Sequence, residues 1–452
     1  MAIPPQSLGH PTLTQFLQDN DWKNFNHGSY GTYPAVIRAE LRKFQDQVEA
    51  RPDWFIRYQY PKLLDISRNA MATYLNVPTS EVVFVKSATV AVNTVLRNLV
   101  FGPNDMIIHF STIFDGCGKT VQSVTETTPL KARNIECSSS MSHDDIVAKF
   151  VQTIQQATEE GFNVRIALFD TISSMPGVRM PFERLTEVCR EHKILSCIDA
   201  AHGVGQISFD LGKLNPDFFT SITHKWLYNP RGCSVFYVAR RNQHLIRTTI
   251  PTSHVLISKE QKDESSSMSA QPGSKSTFEI MFQSTAITDD TPHLTIPAAL
   301  EFRAHLPGGE EGILKYIRKM AFEGGNIVAQ ILGTDVLGEP GTDKTSPCRM
   351  RDCAFANVRL PFLIEDSEAG ATEAVQWPVL SISQAKKLAP RLQEHIITDH
   401  SVAVALFVYD SALWIRLSGQ IYLELDDFRW LGELLKRLCA NDGAILGESS
   451  AD

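Results

Sequence analysis

The stretch DFFTSITHKWLYNPRG, residues 217–232, opens as a short apolar strand and closes in a turn built from Asn229, Pro230, Arg231 and Gly232. Between the two stands Lys225, preceded by His224 and followed by Trp226. Lysine is ordinarily a solvated surface charge. At the end of a buried strand, among aromatic residues, it asks for a chemical reason.

Working outward, strand patterns alternate with helical ones. The spacing of Ile37, Leu41, Phe44 and Val48 predicts an amphipathic helix over 34–50. Strands are predicted at 82–87, 106–111, 164–170, 194–199, 217–222 and 234–240. Helices are predicted from Ser87 onward, over 143–158 with a capping box at Ser142 and Asp145, and over 182–193. Such alternation implies an α/β fold with a mostly parallel, doubly wound sheet. The Ser-rich segment 257–276 reads as a flexible surface loop, and EDSEAGATEA (365–374) as a second loop. Beyond the first loop come helices over 296–306 and 313–332. Strands at 353–361, 402–410 and 412–418, with helices over 383–397 and 425–440, then form a smaller α+β unit. The expected division is a large domain over 36–295 and a small domain made of 1–35 and 296–452. No internal repeat is present.

The 452 residues suit two or three domains of ordinary size. A net charge of −8 argues against a nucleic-acid surface, and 43% hydrophobic with 21% charged residues is a soluble globular balance. The first residues, MAIPPQSLGHPTL, lack the pattern of a signal peptide, and no apolar run reaches the roughly 18 residues of a membrane span. A cytoplasmic protein is expected. The eight cysteines form no CxxC pair and read as free thiols rather than a metal site or disulfide framework. Cys348 and Cys353 flank RMRD, which reads as the approach to a strand.

Parallel α/β sheets bind ligands at the carboxyl ends of their strands. There the sequence sets Ser87, Ala88 and Thr89 at a helix start, Phe114 after the second strand, and Asp170 with Ser173 and Ser174. Asp199 with His202 and then His224 with Lys225 follow. One cofactor uses a helix N-terminus, a flat ring, a carboxylate and an amine together. Pyridoxal 5′-phosphate takes a lysine amine on its aldehyde, a carboxylate beside its ring nitrogen, a helix N-terminus for its phosphate and an aromatic stack. Each residue also has an ordinary reading: solvated lysine, turn-forming Asp, helix cap, core Phe. The chain has no GxGxxG, GxxxxGK[ST] or GxSxG motif.

DAAHGVGQ (199–206) followed by SITHKW (221–226) resembles the signature of class V, fold-type I pyridoxal-phosphate enzymes. FNHGSYGTYP (25–34), QSTAITDDTP (283–292) and WIRLSGQIY (414–422) resemble segments of its isopenicillin-N-epimerase-like branch, in the family's order. The resemblance implies that Lys225 holds the cofactor and takes the α-proton, that Asp199 pairs with the ring nitrogen and that His202 contacts the ring hydroxyl. It implies that Thr89, His224 and a second subunit's Thr285 hold the phosphate, and that Arg416 grips the substrate carboxylate. Asn26 and His27 would lie over the site, and a shared site implies a homodimer. Within the branch the chain is most similar to the hercynylcysteine sulfoxide lyases of ergothioneine biosynthesis, which implies β-elimination from an amino-acid sulfoxide. Where that family commonly carries Tyr or His at the stacking position, this chain has Phe114. The phenyl ring keeps the stack and lacks a proton for the leaving sulfur. A desulfurase with a nucleophilic cysteine, an aminotransferase or epimerase on the same cofactor, and a non-enzymatic binding protein are the alternatives. Trp54, Phe55, Tyr58 and Tyr60 are candidates for the aromatic walls of an imidazole pocket, and equally for core.

Overall fold

The computed structural model describes residues 7–258, 275–283, 285, 287–342, 347–364 and 377–440. The strands in chain order are β1 (Lys23–Asn24), β2 (Val82–Val85), β3 (Asp105–Phe110), β4 (Lys131–Ile135), β5 (Asn163–Asp170), β6 (Leu195–Asp199) and β7 (Phe218–Ile222). They continue with β8 (Ser234–Val238), β9 (Phe355–Arg359), β10 (Leu363–Ile364), β11 (Val379–Leu380), β12 (Val402–Ala403), β13 (Ala405–Tyr409) and β14 (Ala412–Ser418).

Seven strands form one sheet in the order β2-β8-β7-β6-β5-β3-β4. Only β8 runs against the rest, pairing antiparallel with both neighbours. Both faces are covered, which is why the strands other than the exposed edge strand β4 read as largely apolar runs instead of alternating ones. Successive residues separate to opposite sides: Phe218 joins a core with Val92, Val95 and Val121, and Phe219 joins another with Phe150, Phe182 and Leu185. The doubly wound expectation holds, and the α/β architecture with a mixed, mostly parallel central sheet is that of fold-type I. No helix among the described residues is long and apolar enough to cross a membrane.

A second sheet, β13-β14-β9, packs against the helices Gly309–Leu332 and Ile382–His400, and the helix Leu425–Ala440 packs on the first of these. The longest helix runs through Gly324 and Gly325, an unfavourable pair for a helix interior. A Cβ on Gly324 would stand 2.5 Å from the Phe428 ring, and one on Gly325 2.5 Å from the Cβ of Ala356. The two glycines let the helix lie close against its neighbours. The single strand expected over 402–410 divides at Val404, because its halves have different partners: β12 pairs with β1 and β13 with β14. That pairing ties the N-terminal segment to the C-terminal unit, as does Gly9 N–H donating to the Ile421 carbonyl (2.7 Å). On these contacts we propose the division into 36–295 and 1–35 with 296–452.

RMRD does lead toward a strand, β9, but through a turn and not through extended backbone. Arg349–Arg351 is a 3-10 turn, because Arg349 folds back to Glu339 and Asp144. Among the described residues no cysteine forms a disulfide. The two expected loops fall mainly outside the described residues.

Candidate active site

β5, β6 and β7 end at matched heights, with Asp170 opposite Asp199 and Asp199 opposite Thr220. A cavity opens at these ends. Ala88, Thr89, Phe114, Asp199, His202 and Lys225 line it.

Lys225 sits in a single helical turn, Thr223–Trp226, directly after β7. The turn is fastened from three directions. Thr223 Oγ1 donates to the Cys233 carbonyl (2.8 Å), and Arg303 donates to the Trp226 carbonyl (2.5 Å). His27 Nε2 donates to the Lys225 carbonyl. Gly31, at φ +62°, lies against the turn so closely that a Cβ would meet the His224 carbonyl oxygen at 1.8 Å. The glycine in HGSYG is therefore fixed by the Lys225 turn.

Burial, reinforced by the Arg416 charge, lowers the Lys225 pKa to about 7. The hydrogen bonds agree. The Trp226 indole, a donor only, points at His202 Nδ1 (3.4 Å), so the His202 ring proton sits on Nε2. Nε2 lies 3.1 Å from Lys225 Nζ, which accepts that proton only as a free amine. Burial and the same cations hold His202 well below its ordinary pKa. Asp199 is buried and receives Ala201 N–H on Oδ1 (2.9 Å) and the Cys117 thiol on Oδ2 (3.3 Å).

Ser87 caps the helix Ala88–Asn98, its Oγ accepting from Val90 N–H (3.2 Å). The first backbone N–H groups of that helix remain for an anion. Phe114 precedes the helix Asp115–Thr127 and is 49% exposed, so the ordinary reading of it as core fails. His224 is half-buried, with Nδ1 sealed from solvent and without a partner. Thr285 is half-buried and does not line this cavity.

Arg416, on β14, is 1% exposed and has no carboxylate partner among the described residues. Its terminal nitrogens donate to the Ser174 carbonyl (2.6 Å), Asn26 Oδ1 (2.9 Å) and Ser29 Oγ (2.8 Å), and the guanidinium lies 4.5 Å over the Phe355 ring. Its Nε is buried and unpartnered. Burial alone pulls its pKa down to about 10. A buried cation without an anion is costly unless a ligand supplies the charge.

One expectation is corrected. His27 does not lie over the site with a nitrogen free for substrate. It is fully buried beneath the lysine turn, with Tyr422 Oη on Nδ1 (3.0 Å) and the Lys225 carbonyl on Nε2. Burial drops its pKa to about 3, so it is a neutral strut. Phe55 and Tyr60 are core, whereas Trp54 and Tyr58 are exposed, and none of the four lines the cavity. Sequence reasoning missed Ser29, Cys117 and Trp226. Ser29 and Cys117 each lie three residues past a chosen residue, Asn26 and Phe114, and so share a helical face.

The residues fit pyridoxal phosphate. Polar atoms sealed without partners cluster in these segments: Asp170 Oδ2, Thr171 Oγ1, His224 Nδ1 and Arg416 Nε. A ligand with a cationic ring nitrogen and acidic groups would answer them. Among the described residues no cysteine lines the cavity, and Cys353 is buried with its thiol pushed up to about 11.

Residues 46–288 match the family model for class-V aminotransferases. An L-cysteine desulfhydrase-like protein, lolT2, from Epichloe uncinata is 37% identical over 96% of this chain and 94% of its own. The hercynylcysteine sulfoxide lyase of Schizosaccharomyces pombe is 26% identical over 96% of this chain and 98% of its own. Among solved structures, a C-DES mutant with glycine covalently linked to its PLP cofactor superposes with a TM-score of 0.72 at 14% identity, covering 94% of this chain and 98% of that one. The chain belongs to the class-V aminotransferase family, and its cofactor is pyridoxal 5′-phosphate.

Proposed function

We propose that this enzyme is a C–S lyase that cleaves hercynylcysteine sulfoxide by β-elimination. The observation that carries the reading is the pairing of a half-buried free amine, Lys225, with a buried cation lacking an anion among the described residues, Arg416, around one cavity region. The amine takes a proton from the α-carbon, and the guanidinium holds an α-carboxylate bidentately. When bound, pyridoxal phosphate supplies an electron sink for the pair left at that carbon. With the cofactor bound, Asp199 would meet the ring nitrogen as an anion, His202 the ring hydroxyl, and Phe114 the ring face. Ser87, Ala88, Thr89 and His224 hold the phosphate. Thr285 comes from the second subunit of a homodimer, a reading supported by its place outside its own chain's cavity. Asn26, with Ser29, orients Arg416 instead of touching substrate.

In balance, the α-proton goes to Lys225 Nζ and the Cβ–S bond breaks with its electron pair on sulfur. The leaving group departs as a sulfenic acid after taking one proton, and a thiol reductant converts it to ergothioneine. The three-carbon remainder hydrolyses to pyruvate and ammonia. A second reading, desulfhydration of cysteine itself, is favoured by the greater identity to the Epichloe protein, 37% against 26%. Comparing kcat/KM for the two substrates tests the choice. A higher value on the sulfoxide supports the first reading, and a higher value on cysteine replaces it with the second.

Phe114→Tyr places a hydroxyl in the cavity where the native ring has none. The expected result is a rise in kcat of about tenfold to a hundredfold if sulfur departure limits the rate, measured as pyruvate release. An unchanged kcat assigns the proton to another donor. The pH profile follows from Lys225: a base accepts protons only when unprotonated. With its pKa lowered to about 7, kcat should fall as pH drops below that value and level off above it.

A further inference from the structure

One ionisable group in the cavity has no part in the reaction described. Asp170 ends β5 as the register partner of Asp199 on β6. Parallel strands lie about 4.8 Å apart, with side chains at matched register on the same face. Both carboxyls line the cavity, and they are 4% and 3% exposed. Their surroundings differ. Asp199 accepts one N–H and one S–H. Among the described residues Asp170 accepts no hydrogen bond, and its Oδ2 is sealed without a partner. The charged and titratable groups that face it are Asp199, Lys225, Cys117 and Cys137, and Lys225 is the one basic group among them.

An ionised Asp170 would suffer burial without donors and a like charge on the next strand. Protonation removes both penalties, and burial, then the Asp199 charge, push it well above the usual carboxylate range. Asp199 is the better anion because its oxygens are already met by donors.

We propose that Asp170 and Asp199 form a pair holding one proton and one negative charge, with Asp170 the neutral acid and Asp199 the anion. The arrangement has a consequence for Lys225. A second carboxylate beside Nζ would favour its ammonium form and block it as a base. Asp170, kept neutral, leaves the amine free, and so acts as a positioning residue through Lys225 and Asp199. Pairs of like carboxyls at short range behave this way in general.

The test is infrared difference spectroscopy on the cofactor-loaded full-length enzyme at about pH 8, where an isolated Asp is ionised. The expected result is a protonated-carboxyl carbonyl band that shifts in D2O and is lost in Asp170→Asn. In Asp199→Asn the band should persist, because burial without donors still disfavours the Asp170 anion, but Asp170 should ionise at lower pH than in the wild type once the neighbouring charge is gone. Absence of the band in the wild type, its survival in Asp170→Asn, or an unchanged ionisation of Asp170 in Asp199→Asn overturns the pairing. The wild-type spectrum and the Asp199→Asn variant keep the test decisive if Asp170→Asn does not fold. A second readout is the pH titration of the cofactor's visible absorbance. Asp170→Asn, which mimics the neutral acid, should move its midpoint by less than threefold in proton concentration, and a tenfold move contradicts the proposal. The pair rests on the cofactor and not on the substrate, so an enzyme that releases no pyruvate leaves it standing.

Discussion

Lys225→Ala should lower turnover about ten-thousand-fold or more while leaving the protein folded. A positioned base contributes about 10²- to 10⁴-fold, and the same amine is the cofactor's covalent anchor. The loss should therefore exceed that of any other single substitution in the cavity. Stability should not follow activity. Among the described residues Lys225 Nζ hydrogen-bonds to His202, and its burial disfavours its charge. Removing it relieves a desolvation penalty and leaves the turn's carbonyls still held by His27 and Arg303. Pyruvate assays and thermal unfolding on the same preparation separate the two effects. A variant that keeps a tenth of wild-type turnover would remove Lys225 from the chemistry.

Arg416→Ala should reduce kcat/KM about 10²- to 10³-fold, chiefly through KM, with the cofactor's visible absorbance unchanged. A charge-assisted bidentate contact in a buried setting supports a loss of that size. Arg416→Lys should recover little. The native fork reaches Asn26, Ser29 and Ser174 at once, and an ammonium cannot span the three while presenting two parallel donors. Asn26→Ala should share the direction of the effect at smaller size, since it removes an acceptor that aims the guanidinium and not the guanidinium itself. A wild-type KM in Arg416→Ala would show that the substrate carboxylate is bound elsewhere.

Six strands of the central sheet were legible because they are largely buried on both faces, so each apolar run is continuous and ends where the polar site begins; the edge strand β4, KARNI, is mostly exposed, carries no such run and was not read. Strand ends alone bring Asp199, His202 and Lys225 together. Burial and direction were less accessible. His27 belongs to a motif that placed it near Lys225, yet which way its ring faces is decided by Tyr422, almost 400 residues later in the chain. Phe114 carries no polar signal, and its exposure arises from its position before a helix at the cavity edge. Asp170 was visible as a strand-end carboxylate, but its partnerless state depends on the donors that Asp199 has and it lacks. The division of residues 402–410 into two strands was hidden because it needs the N-terminal strand as a partner.

The most direct test of the C–S lyase assignment is pyruvate release from hercynylcysteine sulfoxide and from cysteine by the purified wild type, beside Lys225→Ala. The account predicts pyruvate and ammonia in equal amounts, matched by the sulfur product, and none above background from the variant. Transfer of the substrate's amino group to an added keto acid, with no pyruvate formed, would contradict it.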